Sequence, residues 1–456
     1  MTQRTPALPL VLVLLGVLLL PACGGAPAAQ VPLPTMAPAA AADGAPTAPA
    51  FINDGPGATA AEVTGESAAG SSSAPAASAP DVVTGSTASE ARPPAATAAA
   101  PARERPLGQE ASLRAGEIDD NARFADYLAY TEGYTAGDVR RADVRERYLI
   151  TVLDDRQRPV LDARVTVYDG TRPIFRSRTF AGGNTIFMPG LTDAANATEF
   201  RIVAEYGQSS AEATLPRDGS ERVELGLRQL QPDDTLRLDL LFLLDTTGSM
   251  GDELSRIQET IDDIAGRIDA FTPRPSIRYG LVAYKDSGDT YVTYTEAFSP
   301  DLATFRERLG ALYADGGGDT PEAVEEALYE ATTRLDWSDE PAVRLTFLVG
   351  DAGPHVPGNT QFTYLDATRE ALASGVKIYP IAASNTDPQA EYVFRQLAQQ
   401  TLASFVFLTY QPGASSGAPG ESTTLEAGEQ PYTVERLDDL IVGIVERELA
   451  AAVGAR

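Results

Sequence analysis

One cysteine and one histidine stand among 456 residues. A single cysteine excludes an intrachain disulfide and any multi-cysteine metal site. A single histidine excludes a histidine-rich zinc centre. Positive charge is scarce as well: 36 Lys and Arg face 64 Asp and Glu, for a formal net charge of −28. A nucleic-acid-binding chain carries a basic footprint, so that class of partner is excluded. An acidic chain of this kind is also repelled by anionic membrane surfaces. Any metal must be held mainly by oxygen, which favours Mg²⁺, Ca²⁺ or Mn²⁺. What remains is ample apolar material, 43% of the chain, enough for two or three domains.

The apolar run Leu8 to Leu20 follows Arg4 and is broken by Pro9 and Gly16. It is short for a membrane span and suits the h-region of a signal peptide over residues 1–22. The run closes on Leu20-Pro21-Ala22-Cys23, which resembles the lipobox of bacterial lipoproteins. That resemblance implies lipidation of Cys23 and a membrane anchor at the mature N-terminus. The folded part would then sit in the cell envelope, outside the cytoplasm. An ordinary secretory leader with a coincidental cysteine is the alternative. Residues 23–112 are mostly Ala, Pro, Gly, Ser and Thr. They lack the large apolar residues a core needs and read as a disordered tether.

Residues 113–145 read as a short helical linker around Phe124, Tyr127, Leu128 and Tyr130, with Asp119-Asp120 expected at the helix N-terminus. Residues 146–230 change character. Runs such as Tyr148–Leu153, Ala163–Tyr168 and Glu199–Tyr206 alternate with turn residues at short intervals, the pattern of a small antiparallel sandwich. The stretch from Val152 to Gly170 is similar to the start of carboxypeptidase-regulatory or transthyretin-like β-sandwiches.

From residue 236 to 450 strand and helix alternate. Leu238–Leu244 and Val343–Val349 are nearly continuous apolar runs, as strands buried on both faces require. Between Met250 and Phe271, Leu254, Ile257, Ile261, Ile264, Ile268 and Phe271 recur at helical period. Such alternation predicts a doubly wound, mostly parallel α/β sheet with helices on both faces. Ligands of these sheets bind beyond the carboxyl ends of the strands. Three loops place oxygen-bearing side chains there: Asp245-Thr246-Thr247-Gly248-Ser249, Gly316-Gly317-Gly318-Asp319-Thr320, and Asp351. Carboxylates and hydroxyls without nitrogen or sulfur make a hard-cation site.

This constellation resembles the von Willebrand factor A domain and its metal-ion-dependent adhesion site. In that family Asp-x-Ser-x-Ser is followed by a Thr in a second loop and an Asp after a buried strand. Asp245, Thr247 and Ser249 match the first element and Asp351 the third. The second departs: the position usually held by Thr holds Asp319, and Thr320 follows. The wider string, with Gly316-Gly317-Gly318-Asp319-x-Pro321-Glu322 and Asp351-Ala352-x-Pro354-His355, looks like the branch found in hemicentins and an alpha-kinase-associated A domain. The resemblance implies a Rossmann-like fold and a divalent cation held by Asp245, Thr247, Ser249, Asp351 and either Asp319 or Thr320. It also implies recognition of a partner protein or matrix component, through an acidic side chain in the ordinary family chemistry. An envelope assembly or scaffold factor with a purely structural ion is the alternative.

Catalysis is not expected. A dehalogenase-type phosphatase needs a second Asp two residues after the first, and Thr247 stands there. No Lys-Ser/Thr follows the glycine run, so it is no phosphate loop. Glu322 is the nearby candidate for a base and is expected in the first turn of a helix. His355 is a candidate partner-contacting residue, Trp337 a core anchor, and Lys285-Asp286 a rim ion pair.

Overall fold

The computed structural model describes residues 114–194, 196–217, 219–230, 235–318, 320–358, 361–383, 386–409 and 434–454. The leader, Cys23, the tether and Asp319 lie outside the described residues. Strand β1 (Arg114–Ile118) and helix α1 (Phe124–Gly133) come first. Seven strands follow: β2 (Tyr148–Leu153), β3 (Arg164–Asp169), β4 (Arg172–Arg178), β5 (Asn184–Phe187), β6 (Glu199–Tyr206), β7 (Ser209–Pro216) and β8 (Arg222–Gly226). The α/β part then runs β9 (Arg237–Asp245), α2 (Gly251–Asp269), β10 (Ser276–Tyr284), β11 (Thr293–Ser299), α3 (Leu302–Gly310) and α4 (Val324–Tyr329). It continues through β12 (Val343–Gly350), α5 (Tyr364–Ser374), β13 (Val376–Ala382), α6 (Pro388–Gln400), β14 (Phe405–Thr409), β15 (Val434–Arg436) and α7 (Leu437–Ala452).

The large sheet has the order β11-β10-β9-β12-β13-β14-β1-β15. Strands β10, β9, β12, β13 and β14 are parallel neighbours, and β11 closes one edge antiparallel to β10. This is the mixed α/β architecture expected from the alternation of elements. The two apolar runs are its adjacent inner strands β9 and β12, with every residue of β12 buried. Helix α2 lays Leu254, Ile257, Ile261, Ile264 and Ile268 into the same core. Among the described residues, no helix is long and apolar enough to cross a membrane.

The first strand is a departure from the sequence reading. Arg114–Ile118, placed in a helical linker, pairs antiparallel with β14 on one side and β15 on the other. A side chain at Gly116 could not be accommodated, because a Cβ there would lie 2.2 Å from the Phe407 ring. Asp119 and Asp120 do not cap α1. Asp119 closes a turn by accepting from the amides of Asn121 and Ala122, while buried Asp120 pairs with Arg395 of α6.

Between β1 and β9 the chain forms two small sheets, β5-β2-β8 and β4-β3-β6-β7, around their own core. The sandwich is not purely antiparallel, since β2 and β8 run parallel. Strand β7 carries no apolar run in the sequence, since its side chains are mostly small and only Leu215 is buried. The sandwich is joined to the α/β part by a buried ion pair. Arg344 at the start of β12 meets Asp162 at 2.7 Å, and Arg178 meets the same carboxylate at 2.8 Å. Helix α5 packs Ala367 and Ala371 into the large core and Leu372 into the sandwich core.

Candidate metal centre

Strand β9 delivers Asp245 to the carboxyl edge of the sheet, where the side chain is buried. The chain then turns back on its own carboxylate. Asp245 Oδ1 accepts hydrogen bonds from the Thr247 amide at 2.9 Å and the Thr247 hydroxyl at 2.7 Å. The Thr247 hydroxyl lies 3.3 Å from that of Ser249. Asp245 Oδ2 is buried and has no hydrogen-bond partner. Strand β12, parallel to β9, ends beside it: a Cβ on Gly350 would lie 3.4 Å from Asp245 Oδ2 and 2.5 Å from the Tyr284 hydroxyl. Asp351 follows and accepts a hydrogen bond from Ser249. Asp245, Thr247, Ser249 and Asp351 are thus brought together.

The second loop is laid over the first. The Gly248 amide donates to the Gly316 carbonyl at 3.1 Å, and the Asp315 amide donates to the Thr246 carbonyl at 3.2 Å. Gly316, Gly317 and Gly318 all have left-handed backbone, with φ of 72°, 65° and 149°. A side chain at Gly316 would strike the Asp289 carboxylate, which accepts from the Gly317 amide at 2.9 Å. Thr320 is exposed on this loop. Asp319, the competing candidate, is not described.

Two expectations about neighbours need correcting. Glu322 is not in the first turn of a helix: α4 begins at Val324, and Glu322 forms a β-bridge with Pro354. It is buried, with Oε2 unpartnered. Lys285 and Asp286 do not form a rim pair with each other. Lys285 is buried, and its ammonium donates to the Thr246 carbonyl, the Asp315 carbonyl and the Asp315 carboxylate. Asp286 instead meets His355 Nε2 at 2.7 Å. Trp337 tilts against Phe298 with ring centroids 4.7 Å apart and donates to the Ala331 carbonyl.

The electrostatics follow from this crowding. Burial, then the charge of Asp351, pushes the Asp245 carboxyl up to about 7, against the Thr247 hydrogen bonds and Lys285. Burial raises Asp351 as well, and its bond from Ser249 offsets only part of that. Glu322 is pushed up to about 8, first by burial and then by Asp245, Asp286, Asp351 and Asp289. Carboxylates gathered in one buried place favour their charged form only beside a compensating cation. The candidate ligands are oxygen throughout, and Asp245 Oδ2 has only the otherwise unpartnered Tyr284 hydroxyl beside it, so the set fits Mg²⁺, Mn²⁺ or Ca²⁺.

Residues 239–411, which carry all three loops, match the model of the von Willebrand factor type A domain. The chain contains a von Willebrand factor A domain. Among curated relatives, an ariadne-like RING finger protein of Acanthamoeba polyphaga mimivirus is 27% identical over 165 residues, 33% of this chain and 16% of that one. The von Willebrand factor A domain-containing protein 7 of Homo sapiens is 32% identical over 126 residues, 27% of this chain and 13% of that one. The chain thus spans less than a fifth of the length of these relatives. Solved structures to which the chain shows some similarity include BatB from Bacteroides thetaiotaomicron, at TM-score 0.32 and 12% identity over 46% of this chain and 98% of that one. The pilus adhesin SpaC from Lactobacillus rhamnosus GG has TM-score 0.32 and 10% identity over 57% of this chain and 34% of that one. The A domain is a protein-interaction module in general terms.

Proposed function

We propose that the A domain binds a divalent cation at the three loops and uses it to recognise another protein or a matrix component. Asp245, Thr247, Ser249 and Asp351 would hold the ion, with Asp319 or Thr320 contributing from the second loop. The cation would neutralise the clustered carboxylates and offer a position for an oxygen of the partner. The observation that carries this reading is the buried Asp245 carboxylate, whose Oδ2 has only the Tyr284 hydroxyl beside it, set beside a second carboxylate, Asp351, that raises its proton affinity. Buried polar atoms are almost always partnered, and an oxygen so sparsely served calls for an ion or water. The domain is read as a binding module and not as an enzyme. Lipidation of Cys23 would anchor it in the cell envelope with the folded part outside the cytoplasm. Partition of the full chain into detergent phase, lost in Cys23→Ala, checks that part.

The test of the site is thermal. The chain is stripped with EDTA and melted alone and with Mg²⁺, Ca²⁺ or Mn²⁺, beside Asp245→Ala. A ligand that binds only the native state adds about 2.7 kcal/mol at a hundredfold excess over its dissociation constant. The melting temperature is expected to rise with cation in the wild type and not in the variant. No rise with any of the three ions would remove the proposal.

A further inference from the structure

We propose that residues 138–140, which precede the A domain, form a strap that positions the outer part of its third loop, residues 351–358, for partner recognition. The inference rests on the functional reading above and adds to it a positioning device that lies outside the family match.

The root of the third loop is held by the domain itself. The Asp387 amide donates to the Asp351 carbonyl at 3.1 Å, and the Asp387 carboxylate accepts from the Gly353 amide at 3.2 Å. Further out the ties lead to the strap. The side-chain amide of Gln389, in the first turn of α6, donates to the Pro354 carbonyl at 3.0 Å and to the Asp138 carbonyl at 2.6 Å. Arg140 Nη2 donates to the Pro357 carbonyl at 2.5 Å. A proline has no N–H, so at both positions the carbonyl is the one backbone group that can be gripped.

The strap is itself anchored. Val139 packs against the large core. The Arg140 amide donates to the Tyr364 hydroxyl, which in turn donates to the Arg140 carbonyl at 2.7 Å. Tyr364 opens α5 and is fully buried. Tyr134 lays its ring against Tyr392 of α6, centroids 4.8 Å apart, and donates its hydroxyl to Asp138 at 2.9 Å. Arg140 Nε meets Glu325 Oε1 of α4 at 3.2 Å, and the same buried oxygen accepts from the Tyr364 amide at 3.1 Å. One guanidinium therefore spans α4 and the third loop, with Nε on the first and Nη2 on the second. A lysine ammonium is a point charge and cannot reproduce that fork. A loop gripped at its root alone opens locally at low cost, and the two outer ties raise that cost. The strap runs on into β2, so the sandwich and the third loop share one stretch of chain.

The experiment follows hydrogen exchange of residues 352–358 in the full chain by mass spectrometry, with Mn²⁺ calorimetry on the same EDTA-stripped samples. Arg140→Lys keeps a positive charge beside Glu325 and loses the Pro357 tie. Gln389→Ala loses the tie to Asp138. Arg145→Met, which removes a surface pair with Asp143, is the control. Exchange is expected to quicken about tenfold in Arg140→Lys, the effect of one charge-assisted hydrogen bond, and about threefold or more in Gln389→Ala. Strand β12 and the control should exchange as in wild type. Mn²⁺ affinity should fall roughly tenfold in Arg140→Lys, as when an outer support of a metal-bearing group is removed. Wild-type exchange in both strap variants, or equal quickening in the control, overturns the inference and leaves the cation reading intact. Faster exchange with unchanged Mn²⁺ affinity also overturns it, since the strap would not serve the site. A wild type that binds no Mn²⁺ removes the cation reading, and the exchange alone then decides the strap. Should Arg140→Lys fail to fold, Gln389→Ala decides.

Discussion

Lys285 shows how a single side chain sets the spacing of the loops around the site. It leaves the end of β10, passes beneath the second loop, and uses its ammonium to hold the Thr246 and Asp315 carbonyls together. The rings of Tyr291 and Tyr313 lie 5.3 and 5.8 Å from the same nitrogen. Lys285→Met fills the space but takes the ammonium from the Asp315 carbonyl and leaves the Thr246 carbonyl with the Asp315 amide alone. A buried group left without its partner costs about 1–3 kcal/mol, so urea denaturation should show a loss in that range. Cation affinity should fall as well, since the first and second loops lose their common anchor. A variant with wild-type stability and affinity would show that the loops hold their register without it. At this scale the sequence was informative where chemistry is local. Asp245, Thr247 and Ser249 are close in the chain, so their convergence follows from one turn. Glu322 and Lys285 were misplaced because their roles arise from contacts between loops far apart in sequence, which periodicity cannot display.

Helix α5 illustrates what local signals say about an element. Its N-cap, Thr363, and its third residue, Asp366, form a reciprocal capping box. Asp366 Oδ2 accepts from the Thr363 amide at 2.8 Å and the Thr363 hydroxyl at 2.6 Å. Gly375 ends the helix with φ of 68°. The sequence reading overlooked this helix, although Thr363-x-x-Asp366 and the closing glycine are its start and stop signals. Burial alone would raise the Asp366 carboxyl, but the Thr363 bonds and Arg369 outweigh it and the group lies below the usual carboxylate range. A depressed folded-state value stabilises above the unfolded-state value and is lost as pH falls through the folded one. Asp366→Asn should therefore cost about 1 kcal/mol near neutrality. That deficit should shrink toward zero as both proteins are acidified below the Asp366 titration. A deficit independent of pH, followed by urea denaturation, would rule out the carboxylate as its source. Strands β9 and β12 were plain in the sequence for the opposite reason: being buried on both faces, they carry uninterrupted apolar runs.

At the scale of the whole molecule the sandwich and the A domain share a buried ion pair, the Asp162 carboxylate between Arg178 and Arg344, beside the apolar packing of Leu372. Arg344 also donates to the Ser338 and Glu340 carbonyls. Removing one partner of a buried ion pair costs about 3–5 kcal/mol, because the other charge stays behind in the interior. With Arg178 still in place, Arg344→Met should fall at the low end, about 3 kcal/mol. Unfolding should also become less cooperative, with separate sandwich and A-domain transitions in calorimetry. A single transition at the wild-type temperature would mean that the two parts are coupled elsewhere. The mostly parallel α/β sheet was readable from the spacing of its elements. Which strands complete the large sheet was not, because Arg114–Ile118 is short, contains a glycine, and lies far from its partners.

That first strand also has a bearing on how the chain matures. Gly116 pairs with Phe407 on one flank and Val434 on the other, so the large sheet seals only once residues from both extremities of the described chain have met. Long-range pairing of this sort forms late and slowly. A fragment beginning at β9, the strand in which the family match starts, would be born with the outer flank of β14 bare. Bare strand flanks recruit other chains. Such a fragment should self-associate in light scattering, and a peptide of residues 114–118 supplied in trans should suppress it.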